Sequence, residues 1–314
     1  MKHIATCLIF LASSWSQAAD APAFAPNSMA YVLQADKLAT SREAAVQKLA
    51  TCERDLIVID AAFSSEGDWT PSEIATIRAG KSGRRVIAYV SIGEAEDYRR
   101  YWHKSWDADK DGKPDASAPK FLNAENPDWK GNYRVRYWQP AWQQIMLLAV
   151  DKVVAQGFDG IYLDIVDAFE FYEYDAATKD WLDDRPNPET GKTYRQDMIA
   201  WIVSIAQRAR TRHPGFLVIP QNASQLLAHA DYREVISAIG VEDLFVADKK
   251  LRSEKQSRFV MNFLKQLKLG GKPVLVIDYP TSESIHTAAF EAAAKQGFTL
   301  LLTDRQLTTL GESK

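Results

Sequence analysis

The chain has 314 residues, 46% of them hydrophobic and 25% charged, with a formal net charge of −3. This is an ordinary globular composition with room for one large domain or two small ones. The slight acidity excludes a basic face that could neutralise phosphates, so nucleic acid is not an expected partner.

Residues 1–19 read as a secretory signal peptide, with Lys2 and His3 as the charged start, Ile4 to Ala12 as the apolar stretch and Ser16-Gln17-Ala18 as a small-x-small cleavage site. No later apolar run is long enough to span a bilayer, and most of the apolar run follows Cys7 instead of preceding it as in a lipoprotein. After cleavage Cys52 is the only cysteine, which leaves no disulfide framework. A periplasmic or secreted monomer is expected, with no membrane insertion once the leader is removed.

Beyond a Pro-rich leader (Ala21 to Pro26), eight short apolar runs follow one another: Ala30–Gln34, Leu56–Asp60, Val86–Ser91, Gly160–Asp164, Phe216–Pro220, Ala238–Glu242, Val274–Tyr279 and Thr299–Asp304. Near-continuous Ile, Leu, Val and Tyr mark strands covered on both faces. Helical patterns lie between them at Ser41–Thr51, Pro71–Gly80, Pro140–Gln156, Arg195–His213, Ser224–Val235, Ser253–Leu269 and Ser282–Gln296. Thr70-Pro71-Ser72-Glu73 and Ser282-Glu283 supply start signals, and His213-Pro214-Gly215 and Gly270-Gly271 supply stops. Alternating strands and helices predict an α/β fold, a (β/α)8 TIM-type barrel formed by residues 20–314 as a single domain. An open doubly wound sheet is the alternative, but no GxGxxG or P-loop motif follows the first strand. One long interruption, residues 94–139, follows the third strand. It is rich in aromatics and charge, and in a barrel it would lie over the carboxyl-end face, where sites are built.

The strand ends share a pattern. Asp60, Ser91 with Glu94, Asp164 with Asp167, Gln221 with Asn222, Glu242 with Asp243, Asp278 with Tyr279, and Asp304 all stand at or just past a strand's carboxyl end. In a barrel they would ring one pocket. None of the five histidines (His3, His103, His213, His229, His286) falls at a strand end, so a zinc centre is not expected, and no Gly-x-Ser-x-Gly elbow or Cys–His pairing is evident. No cofactor is expected. The only metal candidate is Asp107-x-Asp109-x-Asp111-Gly112-x-x-Asp115, which resembles the start of an EF-hand loop but has Ala118 where the bidentate Glu belongs. A solvated Asp/Gly turn is the commoner outcome. The run Lys249-Lys250-Leu251-Arg252-Ser253-Glu254-Lys255 could contact an anionic polymer, but a solvated surface at a helix start is the commoner outcome.

A pocket of carboxylates, amides and aromatics without His suits glycoside hydrolysis, in which one carboxyl protonates the leaving oxygen and another attacks or activates water. Nine Trp and 12 Tyr would suit sugar rings, although aromatics also fill cores. The best pair is Asp164 after the fourth strand and Glu242 after the sixth. Glu242 lies in apolar surroundings that would raise its pKa towards that of a general acid. The alternatives are that Asp164 caps or pairs with an Arg, and that Glu242 caps the following helix.

Three stretches, Val86 to Arg99, Asn126-Pro127-Asp128-Trp129 with Tyr133 to Trp138, and Gly157 to Asp164, together resemble the bacterial branch related to glycoside hydrolase family 114. Its characterised members are endo-α-1,4-polygalactosaminidases. The resemblance implies a (β/α)8 fold, retaining catalysis, an amino-sugar polysaccharide as substrate, Asp164 as nucleophile and Glu242 as acid/base, the latter on a looser motif match. Asp60, Tyr89, Glu94, Asp167, Asn222 and Tyr279 are candidates to line the sugar subsite, and Trp138 to stack on a ring. For both tyrosines and Trp138 the alternative is core packing. Rival functions are a hydrolase of another exopolysaccharide or α-glycan, and a carbohydrate-binding barrel without catalysis.

Overall fold

The computed structural model describes residues 24–65, 67–247, 249–280 and 282–314; the expected signal peptide lies outside them. Eight parallel strands form the frame: β1 Met29–Val32, β2 Leu56–Asp60, β3 Arg85–Ser91, β4 Gly160–Asp164, β5 Leu217–Pro220, β6 Ile239–Glu242, β7 Val274–Asp278 and β8 Thr299–Leu302. Every expected run forms a strand. Strands β1 to β5 pair in sequence order into one arc, and β6 to β8 into a second. A parallel bridge between Gln221 and Gly240 links the arcs at one seam. At the other, the short strand Glu312–Ser313 pairs antiparallel with β8, and the Ser313 hydroxyl accepts from the Met29 amide at 2.9 Å.

Alternating side chains from all eight strands converge on one interior. Met29 and Tyr31, Leu56 and Val58, Ile87 and Tyr89, Tyr162, Ile219, Ala238, Leu275 and Ile277, and Leu301 belong to a single buried cluster, whereas the intervening residues pack outward against helices. This two-sided burial makes the strands apolar throughout and identifies the frame as a TIM-type (β/α)8 barrel. Gly240 is required here. A methyl group on it would meet the hydroxyl of the buried Tyr162 at 1.7 Å, so the tyrosine ring fills the space that the missing side chain leaves.

The helices are α1 Arg42–Thr51, α2 Pro71–Ala79, α3 Pro140–Ala155, α4 Ala168–Glu173, α5 Tyr194–Arg212, α6 Ala230–Val235, α7 Glu254–Leu269 and α8 Glu283–Gln296. Thr70 and Glu73 form the expected capping box on α2. The segment expected as one helix from Ser224 to Val235 divides into a 3-10 turn, Ser224–Ala228, and α6. None of the described helices is long and apolar enough to cross a membrane.

The interruption after β3 contains a three-stranded antiparallel sheet, Glu94–Glu96, Trp129–Val135 and Leu122–Asn126 in that spatial order. It grows directly from the carboxyl end of β3, and the Ile92 amide donates to the Asp164 carbonyl at 3.0 Å. The insertion is thereby tied to the end of β4.

Candidate active site

Asp164 ends β4 and Glu242 ends β6. Each carboxylate is held by its own tyrosine from the barrel interior: Tyr89 donates to Asp164 Oδ2 at 2.7 Å, and Tyr279 donates to Glu242 Oε1. Neither acid takes part in an ion pair among the described residues. Glu242 caps no helix, because α7 starts behind Ser253. Asn222 fixes its backbone instead, accepting the Glu242 amide at 3.1 Å while donating its own amide to Gly240.

The three strand ends nearest this pair share a strained backbone. Ile165, Asn222 and Asp243, each immediately past the end of β4, β5 or β6 or one residue beyond, have φ of 56°, 57° and 53°. For a β-branched residue such as Ile165 this left-handed region is unfavourable, and such strain concentrates at sites where geometry is imposed. Gly93 allows it. A side chain there would approach the Ile165 carbonyl to 2.1 Å.

Burial pushes the Glu242 carboxyl up to about 7, with the Asp164 charge adding to the rise and the Tyr279 hydrogen bond opposing it. Asp167 is pushed to about 8 by burial, then by Asp164 and Glu170. Burial also raises Asp164, but the Tyr89 hydroxyl and the Ile165 amide favour its charged form. Three acids facing one another cannot all ionise at neutral pH. Burial raises all three carboxyls while a tyrosine hydroxyl on Asp164 and another on Glu242 favour their charged forms, so the group favours holding at least one proton over full ionisation.

The other candidates divide. Glu94 is buried beside the pair; it takes the Asn126 side-chain amide at 2.8 Å, and burial, reinforced by Asp164, raises its carboxyl. Asp60 is spoken for, with the Arg99 guanidinium donating to both its oxygens at 2.7 and 2.8 Å and to Glu96 at 2.6 Å. Trp138 takes the packing alternative: it is 9% exposed, T-shaped against Tyr137 and Tyr172, and its indole N–H donates to Glu189 at 3.0 Å.

Asp278 and Asp304, expected in the same ring, are structural. Asp278 is wholly buried and accepts the amides of Leu244, Phe245 and Val246 at 2.8 to 3.0 Å, which anchors the loop behind Glu242. Asp304 turns its own segment by accepting from Thr308 and Thr309. Residues that the sequence reading did not single out are Glu96, Tyr98 and Arg99 on the insertion, and Arg305 beyond β8. The only signal was the acid at every second position in Glu94-Ala95-Glu96. Together with Asp60, Tyr89 and Ser91, the first three line a cavity of about 610 Å³.

In the metal candidate, Asp107, Asp109 and Asp111 bring carboxylate oxygens within 4.8 Å of one another. Asp107 is already satisfied by the Tyr133 hydroxyl and the amides of Asp111 and Gly112, and Asp115 accepts the Ala108 amide at 2.7 Å. The loop holds its shape through these bonds.

The family model for glycoside-hydrolase family GH114 matches residues 13–314. The chain belongs to this family. It is therefore a glycoside hydrolase. Relatives include uncharacterized proteins of Deinococcus radiodurans, 36% identical over 258 residues (82% of this chain, 75% of that protein), and of Methanocaldococcus jannaschii, 36% identical over 244 residues (76% and 64%). Among solved structures, the glycoside hydrolase domain of PelA from Pseudomonas aeruginosa has a TM-score of 0.63 at 18% identity, covering 91% of this chain and 98% of that one. Ega3 from Aspergillus fumigatus, solved in complex with galactosamine, has a TM-score of 0.62 at 18% identity, covering 93% and 96%. This GH114 chain shares their fold.

Proposed function

We propose that the enzyme is a secreted, retaining glycosidase that cleaves an amino-sugar exopolysaccharide of the polygalactosamine type internally. The observation carrying the mechanism is the pair itself: two carboxylates at the ends of β4 and β6, each oriented by a tyrosine, with burial holding Glu242 up to about 7. Asp164 attacks the anomeric carbon as the glycosidic C–O bond breaks, and Glu242 gives its proton to the departing oxygen. The product is a glycosyl ester on Asp164 and a shortened chain. Glu242, now ionised, takes a proton from water, whose oxygen displaces Asp164 and restores both carboxyls.

The acidity of the site supports the amino-sugar reading. Asp164 acts electrostatically on Glu94, Asp167 and Glu242, which places these four acids near one another, while Arg99 is occupied by Asp60 and Glu96. A polymer carrying ammonium groups is drawn to such a cleft. Ega3, of the same fold, was solved with galactosamine. Time-resolved proton NMR of polygalactosamine digestion tests the proposal. The newly formed reducing ends should appear first as the anomer of the substrate linkage, in fragments of mixed length. First appearance of the opposite anomer would overturn retention, and release of single sugars alone would overturn internal cleavage.

A further inference from the structure

Arg305 has no part in the mechanism above, yet it touches both groups that flank Glu242. It lies on the segment behind β8, which Asp304 anchors through Thr308 and Thr309. Its guanidinium carbon is 4.1 Å from the centroid of the Tyr279 ring, and its Nη2 donates to Asp243 Oδ1 at 2.7 Å. Tyr279 is the donor to Glu242 Oε1. Asp243 follows Glu242 in the chain, in the left-handed conformation, with its amide donating to the Ile277 carbonyl at 3.1 Å and its carbonyl accepting Arg252 Nη1 at 2.9 Å.

We propose that Arg305 is a positioning residue for the acid/base: one guanidinium holds Tyr279 on Glu242 and neutralises Asp243 beside it. The inference rests on the hydrolytic roles proposed above. The side chain of Arg305 is 50% exposed, and these two contacts orient its guanidinium. A planar guanidinium can stack on a ring and bond a carboxylate at its edge at the same time, whereas a lysine ammonium cannot do both.

The chemistry needs this arrangement. Glu242 faces Asp164 and Tyr162 from β4, Asp167 beyond it, Tyr31 from β1, Tyr279 just past β7 and Asp243 just past its own strand. The carboxylates among these, Asp243 included, favour its protonated form. An acid/base must release its proton in the first step and recover it in the second, so too strong a hold on the proton slows the reaction. Arg305 is the cation that opposes this hold.

The test is the pH dependence of kcat/KM for wild type, R305Q, R305K, D243N and the R305Q/D243N double variant on a polygalactosamine oligomer, with thermal denaturation as the folding control. R305Q should move the alkaline limb up by about one pH unit, the size of effect one nearby charge exerts, and lower kcat roughly tenfold. D243N should move the limb down, and the double variant should return it close to wild type. R305K should restore much of the limb but not kcat. An unmoved limb in R305Q, or shifts of the same sign in R305Q and D243N, would overturn the proposal; a loss confined to KM would mean that Arg305 contacts sugar directly. If wild type turns over no polymer, the hydrolytic reading fails. The positioning claim is then decided by carbon-13 NMR titration of the Glu242 carboxyl in wild type and R305Q, where equal midpoints would refute it.

Discussion

Replacing Glu242 with Gln removes a titrating carboxyl while keeping an oxygen that Tyr279 can donate to. Folding raises the Glu242 carboxyl from an ordinary 4.5 to about 7, through burial and then Asp164. The native state therefore binds this proton more tightly than the unfolded chain does. That contribution to stability is fully present below pH 4.5 and is lost as the pH rises through about 7. A rise of this size corresponds to about 3 kcal/mol, and partial solvation of the cleft reduces it to about 1–2 kcal/mol. Since Gln does not titrate, E242Q should match wild type at pH 4 and exceed it at pH 8, by roughly 2–5 °C in Tm for a chain of this length. Parallel thermal denaturation of the two proteins from pH 4 to 9 measures this. A difference independent of pH, or a wild type more stable than E242Q at pH 8, would refute the assignment of Glu242 as the protonated partner.

Three further perturbations separate catalysis, scaffold and substrate contact. Asp278→Ala strands the three loop amides behind Glu242 and should cost about 3 kcal/mol or more, read by urea denaturation; a cost under 1 kcal/mol would show that water replaces the carboxylate. Tyr89→Phe removes the hydroxyl favouring ionised Asp164, so the acidic limb of kcat/KM should move up and kcat should fall by about 10–100-fold, whereas an unchanged acidic limb would remove Tyr89 from the mechanism. Trp129 is 56% exposed and pairs with Asn126, whose side chain bonds Glu94. Trp129→Ala should raise KM several-fold on long polymer and leave the shortest cleavable oligomer unaffected, and an equal effect on both would rule out a contact with distant sugars.

The frame was legible because its physics is local. Strands buried on both faces are apolar throughout, and Leu56–Asp60 and Gly160–Asp164 were bounded to the residue. Helices with explicit caps, such as α2 behind Thr70, were equally plain. The sheet within residues 94–139 was not, because its strands are short, largely polar and shifted in register between Leu122 and Asn126. Helix α4, with six residues, is too short to show a period. In the site, Asp164 and Glu242 stood out as acids ending apolar runs. The same signal promoted Asp278 and Asp304, since a strand-end carboxylate that anchors a loop is spelled like one that faces substrate. Only the tertiary partners distinguish them, the Leu244 to Val246 amides in one case and Tyr279 in the other. The pairings of Arg99 with Asp60 and Arg305 with Asp243 join segments 39 and 62 residues apart, a distance over which spacing carries no information.

The most direct test of the central claim is reducing-end release from purified polygalactosamine by wild type, Asp164→Asn and Glu242→Gln, each checked for native thermal unfolding. Wild type should release ends steadily, and both folded variants should fall by at least about a thousandfold. A folded Asp164→Asn or Glu242→Gln enzyme that keeps a tenth of wild-type activity would contradict the two-carboxylate mechanism.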